Sequence, residues 1–350
     1  MIVEEYIERA GELGASDVHV AAGLPPKCRI DGQLADLFPE ILSHDTCEKI
    51  AGELSGKLYS QIEEIGELDL AKTIGGRRVR INLFRQQGNV SAALRILSDR
   101  IPTLEQLGLP PAVRDFPSYK KGIVLVTGET GSGKSTTLAA ILDQINHTRC
   151  DHIITLEDPI EYLYASDKCI VNQREIGKDT KSYGDGLRAI LREDPDVILI
   201  GEMRDLNTIE TALTAAETGH LVFATLHTNS APDAIDRMVG VFPAERQQQV
   251  RLQLSTTLKA VLSQQLLVRK GGRGRVAACE VMVVTAAIKN LIREGKTPQM
   301  ASSMLSAASE GSLTMDNCLV RMVKEGLIAP KTAHEACIDR EFMKKYVSIR

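Results

Sequence analysis

Residues 122–137 read GIVLVTGETGSGKSTT. A short apolar run typical of a buried strand precedes a glycine-rich turn, and apolar residues at helical spacing follow at Leu138, Ile141 and Ile145. The turn fits the pattern GxxxxGKS between a strand and a helix, which is the context that a P-loop requires. The sequence therefore predicts a phosphate-binding loop within an α/β fold, against the alternative of a glycine-rich turn that binds no nucleotide.

Each part of this loop has a role in binding phosphate. Glycines let the backbone wrap closely around the phosphates, while backbone N–H groups and the helix N-terminus supply partial positive charge. Lys134 is expected to reach the β- and γ-phosphates and Ser135 to bind Mg²⁺, so the predicted cofactors are ATP and Mg²⁺. The predicted nucleotide-binding residues are Gly128, Thr130, Gly131, Ser132, Gly133, Lys134, Ser135 and Thr136.

Around the loop, apolar runs alternate with amphipathic helices, which predicts a parallel sheet. The expected strands are residues 122–127, 152–156, 197–200 and 221–226. A helix is expected over residues 205–218, and the chain beyond residues 275–285 is expected to be helical to its end.

The first 98 residues have a different pattern. Val3, Ile7 and Ala10 mark one face of a helix, and Gly75-Gly76 predicts a hairpin turn. Strand-like runs occur at residues 17–22, 27–30, 67–74, 77–84 and 89–97. Four prolines between residues 102 and 117 favour a linker, because proline restricts its own φ and the residue before it. We predict an α/β domain over residues 1–98, a proline-rich linker over 99–118 and a P-loop domain over 119–350.

Composition narrows the classes of function. Of the 350 residues, 43% are hydrophobic and 25% charged, as in globular proteins. The net charge of −4, the lack of Trp and an aromatic content of 4% argue against direct nucleic-acid binding. The acidic start and the absence of an apolar run of about 20 residues predict a cytoplasmic protein without a signal peptide or transmembrane segment. The seven scattered cysteines favour reduced thiols over zinc ligands or disulfides.

Acidic residues follow two of the expected strands, at Glu157-Asp158 and at Glu202. Nucleotide hydrolysis needs a carboxylate that activates water and acids that organise Mg²⁺. Because ligands bind at the carboxyl ends of parallel strands, we expect both acids near the P-loop, with Glu202 as the catalytic base. The alternative for either acid alone is a solvated or capping group.

A histidine stands at each end of the strand expected over residues 221–226. His220 precedes it and His227 follows it. A single histidine at a strand end is often a hydrogen-bonded structural residue. The strand nevertheless points at the nucleotide site, so His227 is predicted to contact the γ-phosphate or the attacking water.

Arginines alternate with apolar residues in the first domain. In residues 77–83, strand alternation places Val79 and Ile81 inward and Arg78 and Arg80 outward, and Arg95 lies in the next strand. A charged outer face is often only solvated. The functional interpretation is that Arg80 and Arg95 reach a neighbouring subunit's ATP and stabilise charge in the transition state.

With these residues the chain resembles the PilT family of type IV pilus retraction ATPases, the twitching-motility motors among the secretion ATPases. Residues 128–136 resemble the Walker A loop, 154–162 (ITLEDPIEY) the Asp box, 191–205 (LREDPDVILIGEMRD) the Walker B segment and 218–230 (TGHLVFATLHTNS) the His box. The opening residues 14–19 (GASDVH) and the segment 287–294 (AIKNLIRE) also resemble the family, with Lys289 in place of an arginine.

The resemblance implies a PAS-like N-terminal domain and a RecA-like P-loop core with a helical C-terminal part. It implies that Glu202 is the catalytic glutamate, that Glu157 acts through Mg²⁺ or water, and that His227 senses the γ-phosphate. Arg80 and Arg95 are then inter-subunit arginines. The implied working form is a homo-hexamer, peripheral at the cytoplasmic face of the inner membrane, which acts on an inner-membrane pilus platform protein.

Three departures from the family pattern stand out. Glu129 occupies a P-loop position often held by proline, residues 85–88 match loosely, and residues 307–315 are shorter than usual. The assembly ATPases of the superfamily carry a four-cysteine zinc site, and its absence from this sequence favours retraction over extension. The alternatives are a pilus-assembly or type II secretion ATPase, a RecA-like nucleic-acid motor, and a regulatory module that binds ATP without turnover.

Overall fold

The structure is a computed structural model that describes residues 2–30, 32–97, 100–272 and 274–348. It divides into two compact units. The first consists of Met1–Ile101 and Pro159–Leu163, and the second of Pro102–Asp158 and Tyr164–Arg350. Each unit has a sheet of its own, so the predicted mixed α/β class is confirmed.

The first unit is an antiparallel sheet with three helices. The helices are α1 (Ile2–Glu12), α2 (His44–Ser55) and α3 (Tyr59–Ile65). The strands are β1 (Asp17–Val20), β2 (Lys27–Ile30), β3 (Gln33–Asp36), β4 (Glu67–Ile74), β5 (Arg77–Gln86) and β6 (Asn89–Ile96), in the sheet order β3-β2-β1-β6-β5-β4. The predicted apolar face of α1 is confirmed, because Val3, Ile7 and Ala10 are buried.

The strand β5 shows how the sequence pattern becomes structure. It pairs with β4 across the two-residue turn Gly75-Gly76, since Ile74 lies opposite Arg77. Along β5, Val79, Ile81 and Leu83 are fully buried, whereas Arg78 and Arg80 are partly exposed. The predicted hairpin and the predicted alternation are both confirmed.

The second unit contains a seven-stranded sheet in the order β13-β12-β7-β11-β10-β8-β9. Its strands are β7 (Gly122–Thr127), β8 (His152–Glu157), β9 (Ile170–Glu175), β10 (Val197–Ile200), β11 (Leu221–Leu226), β12 (Leu258–Val268) and β13 (Arg275–Val283). All neighbours are parallel except β12 and β13. Every residue of β7, β10 and β11 is buried, as expected of central strands with both faces covered.

Helices of the second unit connect these strands and then form its C-terminal part. Those before β13 are α4 (Leu104–Leu107), α5 (Lys134–Thr148), α6 (Tyr183–Ile190), α7 (Leu206–Glu217), α8 (Ala231–Gly240) and α9 (Ala244–Thr257). Those after β13 are α10 (Ala286–Glu294), α11 (Met300–Ser306), α12 (Met315–Lys324), α13 (Pro330–Ala336) and α14 (Arg340–Tyr346). The prediction of a helical C-terminal part is confirmed.

Four of the described strands, β3, β9, β12 and β13, have no counterpart among the strands expected from the sequence. All four residues of β3 are exposed, so it lacks an alternating pattern. The edge strand β9 is largely polar, and in β12 the polar residues of the run LKAVLSQQLLV interrupt its apolar pattern. A strand without a regular period cannot be recognised from local sequence.

The stretch predicted as a linker, residues 99–118, contains folded structure. From Pro102 onward it belongs to the second unit and includes α4 and a short 3-10 helix, Pro111–Ser118. The side chains of Val113 and Phe116 are fully buried. The proposed boundaries between domains stay a prediction.

Candidate functional site

The predicted phosphate loop follows β7 and ends at the start of α5. Gly128 is buried and has a φ of +138°, in the region that favours glycine. A Cβ atom at this position would collide with Gln264 O and would lie 2.6 Å from Ser132 Oγ. Only glycine therefore lets the loop leave β7 in this direction.

Lys134, the first residue of α5, folds back over the loop. Its Nζ donates hydrogen bonds to Gly128 O at 2.7 Å and to Glu129 O at 2.9 Å. The ammonium group is thereby held at the loop. Ser135 is exposed in the first turn of the same 15-residue helix, where backbone N–H groups face outward.

The ends of the parallel strands place the other predicted residues along the same sheet edge. The strand β7 neighbours β11, β11 neighbours β10, and β10 neighbours β8. The phosphate loop, His227, Glu202 and Glu157 stand at the carboxyl ends of these four strands in that order. The sheet thus brings together the residues that the sequence predicted from separate motifs.

Hydrogen bonds fix the chain at Glu202. Gly201 N donates to Leu156 O at 2.7 Å, and Met203 N donates to Thr225 O at 3.1 Å. The residue between them is therefore tied to the neighbouring strands on both sides.

The Glu202 carboxylate lies between two cationic or ionisable side chains. Arg204 Nη2 donates to Oε2 at 2.6 Å, and His227 Nε2 lies 3.4 Å from Oε1. The hydrogen bond from Arg204 lowers the pKa of Glu202, with a further contribution from His227, although partial burial opposes the shift. The Glu202 side chain is 20% exposed and that of His227 41%. The geometry gives an ionised carboxylate that remains accessible.

Glu157 ends β8 in a different environment. Thr155 Oγ1 donates to its Oε1 at 2.6 Å and Gln173 Nε2 donates to the same atom at 3.2 Å. These two hydrogen bonds come from neutral groups, a hydroxyl and an amide, and they orient the carboxylate.

Tyr183, which begins α6, connects the two strand ends. A Cβ atom at Gly201 would lie 2.9 Å from Tyr183 Oη and 3.0 Å from Leu156 O, so the hydroxyl packs where only glycine fits. Burial raises the pKa of Tyr183, and the charges of Asp158, Glu202 and Glu157 raise it further. The Tyr183 hydroxyl is therefore neutral at neutral pH, and it packs against Gly201, the residue before Glu202.

The two histidines differ in their surroundings. His220 Nδ1 lies 2.8 Å from Ala215 O and 3.1 Å from Thr218 Oγ1, at the end of β11 opposite the phosphate loop. The alternative of a structural histidine fits His220. His227, in contrast, lies at the loop end of the strand beside Glu202.

Arg80 and Arg95 lie in the first unit, directly opposite each other on β5 and β6. Arg80 Nη1 is 3.9 Å from Glu161 Oε1, and Arg95 Nε donates to Asp17 Oδ1 at 2.9 Å. Burial favours a higher pKa for Asp17, but its bonds to Ser16 and Arg95 outweigh burial and lower the pKa.

The sequence analysis missed several residues of the site. Arg204 stands within the predicted Walker B segment, two residues after Glu202, where the opposite charges offered a local indication. Tyr183 and Gln173 reach the acids from distant segments and gave none.

Glu280 in β13 is a further missed residue. It is 4% exposed, and its carboxylate accepts hydrogen bonds from Ala231 N at 2.8 Å and from Met315 N at 3.3 Å. Burial raises its pKa, and the two backbone hydrogen bonds partly offset this effect. Glu280 thus ties the start of α8, shortly after His227, to the start of α12.

A phosphate loop at the end of a central parallel strand, with carboxylates at the ends of two further strands of the same sheet, defines a P-loop ATPase. The family described as type II/IV secretion system protein matches residues 1–329. The chain belongs to this family, and it is a nucleotide-binding ATPase.

Individual relatives agree with this assignment. The chain is 48% identical over 337 residues to the type IV pilus retraction ATPase PilT of Pseudomonas aeruginosa, covering 96% of this chain and 98% of the relative. It is 42% identical over 323 residues to a twitching motility protein of Neisseria gonorrhoeae, covering 91% and 86%. A crystal structure of the pilus retraction motor PilT with bound ADP superposes with a TM-score of 0.91 at 51% identity, covering 98% of this chain and 99% of that one.

Among the residues that the structure describes, no helix is both long enough and apolar enough to cross a bilayer.

Proposed function

We propose that this protein hydrolyses Mg-ATP to power the retraction of type IV pili, and that it works as a homo-hexamer on an inner-membrane platform protein. Similarity to a retraction ATPase over nearly the full length of both chains supports the biological part. The ATP hydrolysis part of the proposal rests on the Glu202 carboxylate, which lies between Arg204 and His227. Glu202 follows β10, and one strand, β11, separates β10 from β7 and the phosphate loop.

The phosphate loop is proposed to bind ATP with residues 128–136. Backbone N–H groups at the start of α5 bind the phosphates, and the Lys134 ammonium exchanges its two carbonyl partners for phosphate oxygens. Ser135 and Glu157 fit Mg²⁺, because hydroxyl and carboxylate oxygens are the donors that this ion prefers. Bound Mg²⁺ neutralises charge on the β- and γ-phosphates.

Glu202 is proposed as the general base. An ionised carboxylate accepts a proton from water as that water attacks the γ-phosphate, and the lowered pKa keeps Glu202 ionised at neutral pH. Arg204 orients the carboxylate, and His227 positions the water or contacts the γ-phosphate. The Tyr183 hydroxyl holds the Gly201 backbone close to Glu157.

Arg80 and Arg95 are proposed to act on the ATP of a neighbouring subunit. Two arginines opposite each other on adjacent strands repel, and an anion beside them relieves that repulsion. A γ-phosphate offers such an anion, and its transition state gains most from the added positive charge. In this proposal residues 1–98 form the PAS-like domain that carries the arginines, residues 99–118 the linker, and residues 119–350 the RecA-like domain.

The related functions lead to different phenotypes. The family also includes type II secretion proteins, and an assembly ATPase of this class would drive extension with the same chemistry. Retraction places the protein in the cytoplasm at the inner-membrane face, where it removes subunits from an existing pilus.

Deleting the gene in its source organism tests the proposal. We expect abundant surface pili without twitching, restored by the wild-type gene but not by Glu202→Gln. Loss of pili would instead assign the protein to assembly. An unchanged pilus phenotype would overturn the proposal and favour a secretion or nucleic-acid motor, which stimulation of ATPase activity by DNA would identify.

A further inference from the structure

A polar pocket lies in the second unit, called the ATPase unit below, at the end of the sheet opposite the phosphate loop. It has a volume of about 320 Å³ and lies where β7 and β12 begin. Its lining includes Lys121, Lys259, Glu217 and Thr256. Ligand pockets span about 300–1,000 Å³, so this one suits a small ligand.

Lys259 enters the pocket through a local irregularity in the sheet. Leu258 pairs with Ile123 and Ala260 pairs with Val124, so Lys259 forms a bulge in β12. A bulge changes the direction of a side chain, and such bulges are common beside functional sites.

The lysine side chain runs across the backbone of Gly122. A Cβ atom at Gly122 would lie 2.7 Å from Lys259 Cε and 2.8 Å from its Cγ. The first residue of β7 therefore has to be small for Lys259 to take this position. Bulge and glycine together place the ammonium group at the pocket.

Two lysines, Lys121 and Lys259, line the pocket together with one carboxylate, that of Glu217. Burial lowers the pKa of Lys259, and the charges of Lys289 and Lys121 lower it further. Within the ranges that the structure describes, none of the three makes an ion pair or side-chain hydrogen bond. Glu217 also lines the pocket, but its Oε2 accepts a hydrogen bond from Gln253 Nε2 at 2.8 Å.

The hydroxyl groups beside the pocket already donate hydrogen bonds to the backbone. Thr256 Oγ1 and Thr257 Oγ1 each donate to Gln253 O at 2.8 Å. The lysine ammonium groups are therefore the donors that a ligand meets. Lysine is a common phosphate-binding residue because it presents a compact positive charge. The positive charges of Lys121 and Lys259, with that of Lys289 near Lys259, exceed the one negative charge of Glu217, so the pocket favours an anion.

We propose that this pocket, between the amino ends of β7 and β12, binds an anion that carries a phosphate group, held by Lys259 and Lys121 with Lys289 beside them. The phosphate belongs either to a small soluble anion or to the headgroup of an anionic lipid. This site is separate from the phosphate loop, which lies at the carboxyl end of β7.

The test uses the full chain with its phosphate loop saturated by ADP. Inorganic pyrophosphate is titrated by calorimetry, and phosphatidylcholine vesicles with and without phosphatidic acid are used in co-sedimentation. The double variant Lys121→Gln/Lys259→Gln should weaken binding by roughly tenfold or more, because each substitution removes a charged hydrogen-bond donor. The matched control Lys331→Gln makes the same change at a lysine that is 80% exposed on α13, and it should bind like wild type.

The results separate the two sources of phosphate. Lysine-dependent binding of pyrophosphate supports a soluble ligand, and lysine-dependent binding only of phosphatidic-acid vesicles supports a lipid headgroup. The same binding should persist in Lys134→Ala, which weakens the phosphate loop. Binding that is absent, that disappears in Lys134→Ala, or that is equal in the double variant and the control overturns the proposal. Melting temperatures close to wild type confirm that the variants are folded.

Discussion

The charged side chains around the phosphate loop are held by neighbours in the same unit. The arginines on β5 and β6 of the first unit are held less firmly. Lys134 is anchored to two loop carbonyls, and Glu202 is bracketed by Arg204 and His227. Arg95 has one carboxylate partner but is 63% exposed, and Arg80 has a carboxylate only at 3.9 Å. The first region has the features of a pre-organised site. The second presents two opposed positive charges that an external anion would stabilise.

We therefore expect the two regions to have different roles in catalysis. Groups that position water and phosphate should act from within one chain, whereas the arginines should act once an assembly supplies the phosphate. Catalysis gains most from charges fixed before the reaction, which the Glu202 environment provides.

The largest effect is expected for Glu202→Gln. The amide keeps the shape of the side chain but cannot accept the proton, so ATP turnover should fall by about 10⁴-fold while ATP binding is retained. Turnover and nucleotide affinity are measured separately. Glu245→Gln, at an exposed position in α9, is the matched control and should behave like wild type. Turnover of Glu202→Gln near the wild-type rate would remove this residue from the chemistry.

The next largest effect is expected for Arg80→Ala/Arg95→Ala. Loss of both arginines should lower turnover of the assembled protein by about 10³-fold, in the range known for arginines that stabilise phosphoryl transfer. Arg9→Ala/Arg29→Ala removes two other arginines of the same unit and serves as the control. Equal turnover in the two double variants would mean that the arginine face is only solvated surface.

A smaller effect is expected on the pH dependence of kcat. Because its folded pKa is lowered, Glu202 stays ionised as the pH falls past the ordinary glutamate value, and the acid limb of kcat should lie below that value. The same shift contributes stability that is present above the unfolded pKa and is lost as the pH falls through the folded one. Arg204→Met removes the main cause of the shift and should move the acid limb upward. Superimposable pH profiles of kcat for wild type and Arg204→Met would contradict this explanation.

The two regions also differ in what the sequence could predict. Short apolar runs predicted the central strands β7, β10 and β11, and alternating apolar residues predicted β5. The positions of Glu157 and Glu202 after expected strands predicted that these acids lie near the P-loop. The largely polar strand β9 and the strand β12, whose apolar run is interrupted by polar residues, lack a regular period. Tyr183 and Glu280 have roles that depend on segments brought together only by the fold. Local patterns therefore predicted the candidate residues that the fold places at the carboxyl ends of neighbouring strands, but not the side chains that contact them. The roles of these residues stay a prediction.

The proposal that the base of one chain and the arginines of the next act on the same ATP is tested most directly by mixing two inactive variants. Glu202→Gln keeps its arginines, and Arg80→Ala/Arg95→Ala keeps its base. If each ATP is hydrolysed with the base of one chain and the arginines of the next, mixed assemblies contain some sites with both. We expect ATP turnover of the mixture to rise well above that of either variant alone. Turnover that stays at the sum of the separate variants, in assemblies shown to contain both chains, would contradict it.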